Sequence, residues 1–383
     1  MKVLVVHNAY QSNNIGGEDL VVAREIAGLK TQLGQSNVFE YIISNDEIKL
    51  LSLAVSIWGN QKHAGNIAHL IQQHQIDIVH VHNFFPLLTP SVFRSAKLAG
   101  AIVVHTLHNF RWWCLSGIFY RDNHACEDCV HKKFAINAIV HRCYRNSLLQ
   151  STAGALAFYW YHLKEYEKNI DAYFVLSHFQ REKLSPLIAA NKLWLKPNPI
   201  AAPEAVISWE KKKNYVYVGR LESAKGIEVL LATWAQLPET MVLDVIGVSD
   251  KISVLKEKYE KNNIRFLGNI AHSDVIKRLA QYRYLVHPSL SYETFGLTLI
   301  EALAQGTPVI GFELGTRLEF IQSGKNGFLC QPEKLQETLM RSVDFPHYAA
   351  LSQQAYESAK DFYTSGVITQ QVSIYQQLLG NAG

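Results

Sequence analysis

The sequence predicts an α/β fold made of two Rossmann-like, doubly wound parallel-sheet domains, and three observations carry that prediction. Short apolar runs alternate with longer helical patterns through all 383 residues, which is how a parallel sheet covered by helices on both faces reads in sequence. A chain of this length, 48% hydrophobic and 18% charged, exceeds what one hydrophobic core organises. A proline-rich stretch, Lys196-Pro-Asn-Pro-Ile-Ala-Ala-Pro, followed by a polar run through Lys211-Lys-Lys-Asn214, separates the runs into two sets and reads as a linker.

In the first set, strands are expected at residues 3–7, 41–44, 76–80, 102–107 and 172–176. In the second they are expected at residues 215–218, 242–246, 265–267, 284–287 and 309–311. The expected domains are residues 1–196 and 197–363. Residues 348–379 read as helical with a break at Thr364-Ser-Gly366, after which residues 364–383 form a final helix that turns back to the first domain.

The formal charge of +4 is uneven: residues 1–195 carry 18 Lys and Arg against 14 Asp and Glu, and residues 196–383 carry 19 of each. Such a bias suits an acidic or membrane-bound partner for the first half and falls short of the basic stripe of a nucleic-acid binder. The opening Met-Lys-Val-Leu-Val-Val-His-Asn reads as a buried strand, without the apolar length or cleavage site of a signal peptide. No apolar run reaches the length of a membrane span. The expected location is cytoplasmic, with peripheral contact to the cytoplasmic membrane face open to the first half.

Ligands of doubly wound sheets bind outside the carboxyl ends of the strands, so the loops there carry the candidate chemistry. Gly16 and Gly17 follow the first strand and precede a helix, allowing close backbone approach to a phosphate or a sugar. Their spacing matches neither the dinucleotide fingerprint nor a P-loop. His108 follows the fourth strand, with Arg111 beyond it, and can meet a hydroxyl or an anion. Arg220 and Lys225 follow the first strand of the second half, two cations suited to a diphosphate whose charge grows as a bond to it breaks.

Glu293 and Glu301 stand eight positions apart around an expected helix start near Thr294 or Phe295. Phe295, Gly296 and Leu297 there would offer unpaired backbone N–H groups to an anion, and Glu293 would accept hydrogen bonds from sugar hydroxyls.

These motifs resemble the retaining glycosyltransferases of family 4, with the two-domain GT-B architecture. The resemblance runs through Gly16-Gly17, Thr106-Leu-His108, Gly219-Arg220 to Lys225-Gly226, Glu293 to Glu301 and Gly324-Lys-Asn-Gly-Phe-Leu. It implies two domains facing a cleft, with the acceptor on the first and a nucleotide diphosphate sugar on the second. It further implies that Arg220 and Lys225 hold the diphosphate, Glu293 the donor sugar and Glu301 the ribose. Gly16 and Gly17 would approach the phosphates, and His108 would stand near the donor sugar, with His105 a competitor for that place.

Catalysis would need no metal, and the leaving phosphate would help deprotonate a glycan or lipid-linked acceptor in surface polysaccharide or glycolipid synthesis. The loop Phe312-Glu-Leu-Gly-Thr-Arg-Leu-Glu319 departs from the family pattern in having one glycine where two are usual. A nucleotide-sugar epimerase of the same architecture and a non-catalytic nucleotide-sugar-binding protein are the alternatives.

Cys114, Cys126, Cys129 and Cys143 cluster in an expected insertion at residues 111–145. The central pair has metal-ligand spacing, so the four read either as a structural zinc site or as free thiols. The longer gaps do not match iron–sulfur spacings. The same stretch mixes rings and cations, among them Trp112, Trp113, Lys132, Lys133 and Phe134. It reads as a membrane-facing or lipid-diphosphate-binding surface, or as an aromatic core beneath the insertion.

Overall fold

The computed structural model describes residues 1–11, 16–48, 53, 55–204, 209 and 214–381. Part of the expected glycine loop (12–15), most of the polar run before Asn214 (205–208 and 210–213) and the last two residues of the expected final helix (382–383) therefore lie outside the described residues. Two compact units are present. One comprises Met1–Phe119, Glu127–Pro199 and Thr364–Gly383; the other comprises Tyr120–Cys126 and Ile200–Tyr363.

The first unit holds a six-stranded sheet in the order β2-β1-β3-β4-β7-β8. Its strands are β1 (Val3–Ala9), β2 (Val38–Ser44), β3 (Ile78–Val81), β4 (Ile102–Thr106), β7 (Ala172–Val175) and β8 (Leu193–Leu195). Every neighbouring pair is parallel. Val3, Leu4, Val5 and Val6 are all fully buried, because a parallel sheet covered on both faces leaves no strand position for water.

The helix Gly17–Leu33 crosses over from β1 with Val22, Ile26 and Leu29 facing the sheet core. The helix Thr364–Gly380 packs on it through Ile368, Val372 and Tyr375. Gly28 permits that approach: a Cβ there would stand 2.6 Å from Ile368 Cγ1. Thr364 opens this helix, so the expected break at residues 364–366 falls instead on the short 3₁₀ turn Lys360–Phe362. Thr and Ser, read from sequence as helix breakers, are also residues that start helices.

The centre of this unit is charged. The Lys196 ammonium and the Glu25 carboxylate form a hydrogen-bonded ion pair, both fully buried. Glu25 Oε1 also meets His80 Nδ1 at 3.1 Å and His82 Nε2 at 3.3 Å, and accepts a 2.6 Å hydrogen bond from Gln371 Nε2. The Tyr375 hydroxyl is hydrogen-bonded to His80 Nδ1 at 2.6 Å. The first crossover helix, β3, the end of β8 and the C-terminal helix are thus joined at one carboxylate.

The second unit repeats the plan in the order β11-β10-β9-β12-β13-β14. Its strands are β9 (Tyr215–Val218), β10 (Leu243–Ile246), β11 (Ile264–Gly268), β12 (Tyr284–His287), β13 (Val309–Phe312) and β14 (Gly327–Cys330). All are parallel, over a core that includes Tyr215, Trp234, Leu243, Tyr284 and Ile310. A two-stranded hairpin, β5 (Tyr120–Arg121) with β6 (His124–Ala125), stands apart from both sheets. Strands β8 and β14 and this hairpin were not expected from the sequence. Among the described residues no helix is long and apolar enough to cross a membrane.

Removing one partner of a fully buried ion pair strands the other charge, at a cost of about 3–5 kcal/mol. Lys196→Met should therefore lower the unfolding free energy by about that amount in urea titrations. A loss below about 1 kcal/mol would show that the histidines and Gln371 suffice to hold Glu25.

Candidate active site

In the second sheet the strand order reverses between β9 and β12, and the carboxyl ends of those strands carry the charged loops expected from sequence. After β9, the 3₁₀ turn Ser223–Lys225 leads through Gly226 into the helix Ile227–Trp234. Gly226 has φ +72°, and a Cβ there would stand 1.8 Å from the Pro288 carbonyl oxygen, so only glycine fits between the two loops. The Ala224 carbonyl accepts from Leu290 N at 2.9 Å, Ser291 N at 3.2 Å and Ser289 Oγ at 3.2 Å. The loops after β9 and β12 are one hydrogen-bonded assembly.

That assembly sets Lys225 Nζ 2.7 Å from Glu293 Oε1. His287, at the end of β12, brings Nε2 to 4.0 Å from the same oxygen. A cavity of about 180 Å³ is lined by Lys225, His287, Ser289, Glu293, Gly296 and Leu297, among others. Burial alone would raise the Glu293 carboxyl, but Lys225, His287 and Arg317 outweigh it and hold the group well below the usual carboxylate range. Burial pushes the His287 imidazole down to about 3 despite Glu293, so it is neutral at neutral pH.

Arg317 is fully buried, with Nε donating to the Phe312 carbonyl at 2.9 Å and Nη2 to the Ser289 carbonyl at 2.7 Å. Burial draws its guanidinium down to about 10. Neither His287 nor Arg317 was singled out from sequence. His287 could have been, as the last residue of an expected strand; a buried arginine leaves no such signal.

The helix after β12 begins at Leu297, not at Thr294 or Phe295. Gly296, at φ +80°, turns the chain into it, and the Phe295 ring is core, packed on Phe320 and Phe362. Glu301 therefore lies one turn inside the helix. It is 5% exposed and meets His272 Nε2 at 2.8 Å, a partner the sequence did not suggest. Arg220 projects into solvent and pairs with Glu222 at 3.0 Å, and it does not line the cavity around Glu293.

In the first unit, Gly16 caps the helix Gly17–Leu33, and its N–H donates to Asp19 Oδ2 at 3.0 Å. His108 Nε2 is hydrogen-bonded to His82 Nδ1 at 2.9 Å, and their rings stack with centroids 5.2 Å apart. His105 is a core residue, packed among Phe84, Phe93 and Trp112, with Nδ1 donating to the Val81 carbonyl at 2.8 Å. Of the two histidines, His108 is the one at the sheet's ligand edge. His82, at the end of β3, was missed.

Cys114, Cys126, Cys129 and Cys143 are all partly buried thiols, none of them in a disulfide. Among the described residues, the one group of three His, Cys, Asp or Glu that brings ligand atoms within 4.8 Å is Glu25, His80 and His82, where the Lys196 ammonium already neutralises the carboxylate. Cys114 Sγ lies 3.2 Å from Ser116 Oγ, Cys126 follows the β5–β6 hairpin, and Cys143 closes the helix Ile136–Val140 by donating its N–H to the Ala138 carbonyl. Trp112 and Phe119 of the same stretch belong to the core.

Paired Rossmann-like sheets with charged loops at a strand-order reversal define the GT-B class of α/β fold, and residues 202–357 match the family model described as "Glycosyl transferases group 1". The glycogen synthase of Mycobacterium tuberculosis is 31% identical over 171 residues, which span 41% of this chain and 41% of the synthase. Sucrose-phosphate synthase from Thermosynechococcus elongatus superposes with a TM-score of 0.72 at 19% identity, over 100% of both chains. HepE of Anabaena in complex with UDP gives a TM-score of 0.66 at 18% identity, over 98% of this chain and 100% of its own. At such identities the likeness is one of fold.

The folded protein keeps several histidines neutral where the unfolded chain would protonate them. Burial pushes His82 down to about 3 and His105 to about 4, and lowers His80 and His108 as well. A group whose folded pKa is depressed stabilises the fold above its unfolded value and loses that contribution as pH falls. Unfolding free energy should therefore drop between about pH 7 and about pH 5, with each such histidine adding up to ~1.4 kcal/mol per pH unit. Urea titrations across that range check the sign, and a flat or rising profile on acidification would contradict it.

Proposed function

We propose that the protein is a retaining glycosyltransferase that moves a sugar from a nucleotide diphosphate sugar to a glycan or lipid-linked acceptor without a catalytic metal. The observation that carries this reading is the Lys225–Glu293 pair on the wall of the cavity at the β9/β12 reversal. A nucleotide diphosphate sugar has an anion for the ammonium and hydroxyls for the carboxylate, and the backbone N–H groups at the start of the helix Leu297–Ala304 favour the same negative charge. Charge grows on the diphosphate as the glycosidic bond breaks, and Lys225 stabilises it there. Arg220 would reach the diphosphate only by leaving Glu222.

Glu293 stays ionised across the neutral range and accepts hydrogen bonds from the transferred sugar. Glu301, oriented by His272, serves the ribose. In the first unit, neutral His108 can meet a sugar hydroxyl, and the Gly16-Gly17 turn can bring backbone close to a phosphate, with the Gly16 N–H itself held by Asp19. With these groups the departing phosphate itself takes the acceptor proton, and no protein nucleophile is required. The acceptor is assigned to the first unit, where a cavity of about 480 Å³ places Arg111, Lys132 and Lys133 beside Trp113 and Phe158. Rings of this kind stack on sugars, and the cations suit phosphate. The solved neighbour bound to UDP and the partial relationship to a glycogen synthase both favour a sugar-nucleotide donor.

The test is turnover against a panel of nucleotide sugars, with donors first ranked by the thermal stabilisation they confer on the folded protein. Lys225→Met and Glu293→Gln should each lower kcat by about a hundredfold or more. Both positions border solvent and fill no core volume, so Tm should move by only a few degrees, roughly. Normal turnover in either variant, or donor hydrolysis or inversion with no acceptor requirement, would refute the assignment.

A further inference from the structure

A neutral imidazole offers one N–H and one lone pair, so when two histidines hydrogen-bond to each other, whatever stands at the far nitrogen of one decides the polarity of both. His82 and His108 are such a pair. His82 extends β3 by one residue, its backbone N–H donating to the Val6 carbonyl at 3.0 Å, and His108 stands two residues beyond β4, the neighbouring strand. Their rings lie at 22° to one another, with His82 Nδ1 2.9 Å from His108 Nε2. One of these two nitrogens carries the hydrogen and the other receives it.

The far side of His82 decides which. Its Nε2 stands 3.3 Å from Glu25 Oε1, in a contact too bent to count as a full hydrogen bond. At that distance the carboxylate still attracts an N–H and repels a lone pair, because a buried charge is little screened. Lys196 holds Glu25 as the anion, and Gln371 donates to the same oxygen that His82 faces. His82 is buried, and burial pushes its imidazole down to about 3, so it carries one hydrogen and not two. That hydrogen is on Nε2. His82 Nδ1 is then the acceptor of the pair and His108 Nε2 the donor. Burial, with His82 and Lys196 acting in the same direction, holds the His108 imidazole below its ordinary value as well, which leaves its Nδ1 without a hydrogen.

We propose that His82 is a positioning residue that carries the influence of Glu25 to the ligand edge: it holds His108 as the Nε2–H tautomer, so that His108 Nδ1 accepts a hydrogen bond from a sugar hydroxyl. The opposite tautomer would present an N–H and ask the same hydroxyl for a lone pair. Without the carboxylate, the two tautomers of the His82–His108 pair would differ little in energy. The sugar assigned to His108 rests on the function proposed above, whereas the tautomer rests only on contacts within the first unit.

The test is long-range proton–nitrogen correlation NMR of the full chain labelled with nitrogen-15 histidine, the His108 signals being those lost in His108→Asn. A protonated Nε2 and an unprotonated Nδ1 are expected at His108 and at His82 alike. In His82→Phe, which keeps a ring but has no acceptor, the His108 signals should move to a mixture of both tautomers. In His82→Asn, whose carboxamide oxygen can stand near the place of Nδ1, the Nε2–H form should persist. Turnover on the donor selected by thermal stabilisation should fall about tenfold in His82→Phe and less than about threefold in His82→Asn. An Nδ1–H tautomer or an imidazolium at His108 in the parent overturns the proposal, and that spectrum decides alone should His82→Phe not fold. A His108 spectrum unchanged in His82→Phe, or equal losses of turnover in the two variants, also overturns it. Because the tautomer is read without substrate, the expected spectrum with no turnover on any donor would refute the proposed function and leave this assignment standing.

Discussion

Everything in the first unit is arranged around a carboxylate taken out of water. An isolated charge at the position of Glu25 would be strongly unfavourable, and the fold answers it with Lys196, two imidazoles and Gln371, drawn from segments far apart in sequence. Burial opposes ionisation of Glu25, yet Lys196 and the two histidines hold it well below the usual carboxylate range. The network therefore works only when complete. It explains why the C-terminal helix belongs to the first unit: Gln371 and Tyr375 are members of the charge network, not merely cover for an apolar face. His82, which touches Glu25 on one side and His108 on the other, links this buried charge to the ligand edge of the sheet.

The second unit uses a different device. Its site is fixed by backbone, through the Ala224 carbonyl that gathers the loop after β12 and the glycine at 226 that lets the two loops touch. The charged pair rests on that assembly. Lys225 and Glu293, 68 positions apart, are brought together by loops that follow adjacent strands of a parallel sheet. A doubly wound sheet offers such a meeting place where its strand order reverses, which is why the chemistry gathers there.

Strands β9 and β12 were legible to the residue, because continuous apolar runs bounded by Asn214, Gly219 and Pro288 have a length that only a buried strand fits. Strand β8, of three residues, is too short to show a pattern, and β14 opens on Gly327 within Gly324-Lys-Asn-Gly-Phe-Leu, where the glycines interrupt the apolar run. The helix start was misplaced because Gly296 reads as an ordinary helix-tolerated residue until its positive φ is seen. Glu293 and Lys225 were identifiable from residue type at strand ends. Their direct contact, and the roles of His287, Arg317 and His272, depend on packing between distant segments that no local spacing encodes. Spacing alone left the four cysteines as either a shared ligand set or separate thiols, since residues 114, 126, 129 and 143 sit on segments whose mutual packing no local pattern encodes.

The Lys225–Glu293 contact also makes the site electrically self-satisfied. A ligand that engages only the ammonium leaves a half-buried carboxylate without its partner, and one that engages only the carboxylate does the same to the ammonium. A lone phosphate or a lone sugar thus meets resistance that a molecule carrying both ends does not, since each half of the larger molecule relieves the charge the other half uncovers. Selectivity of this kind comes from a closed internal latch that needs two simultaneous hands, and it requires no pocket shaped closely to either fragment.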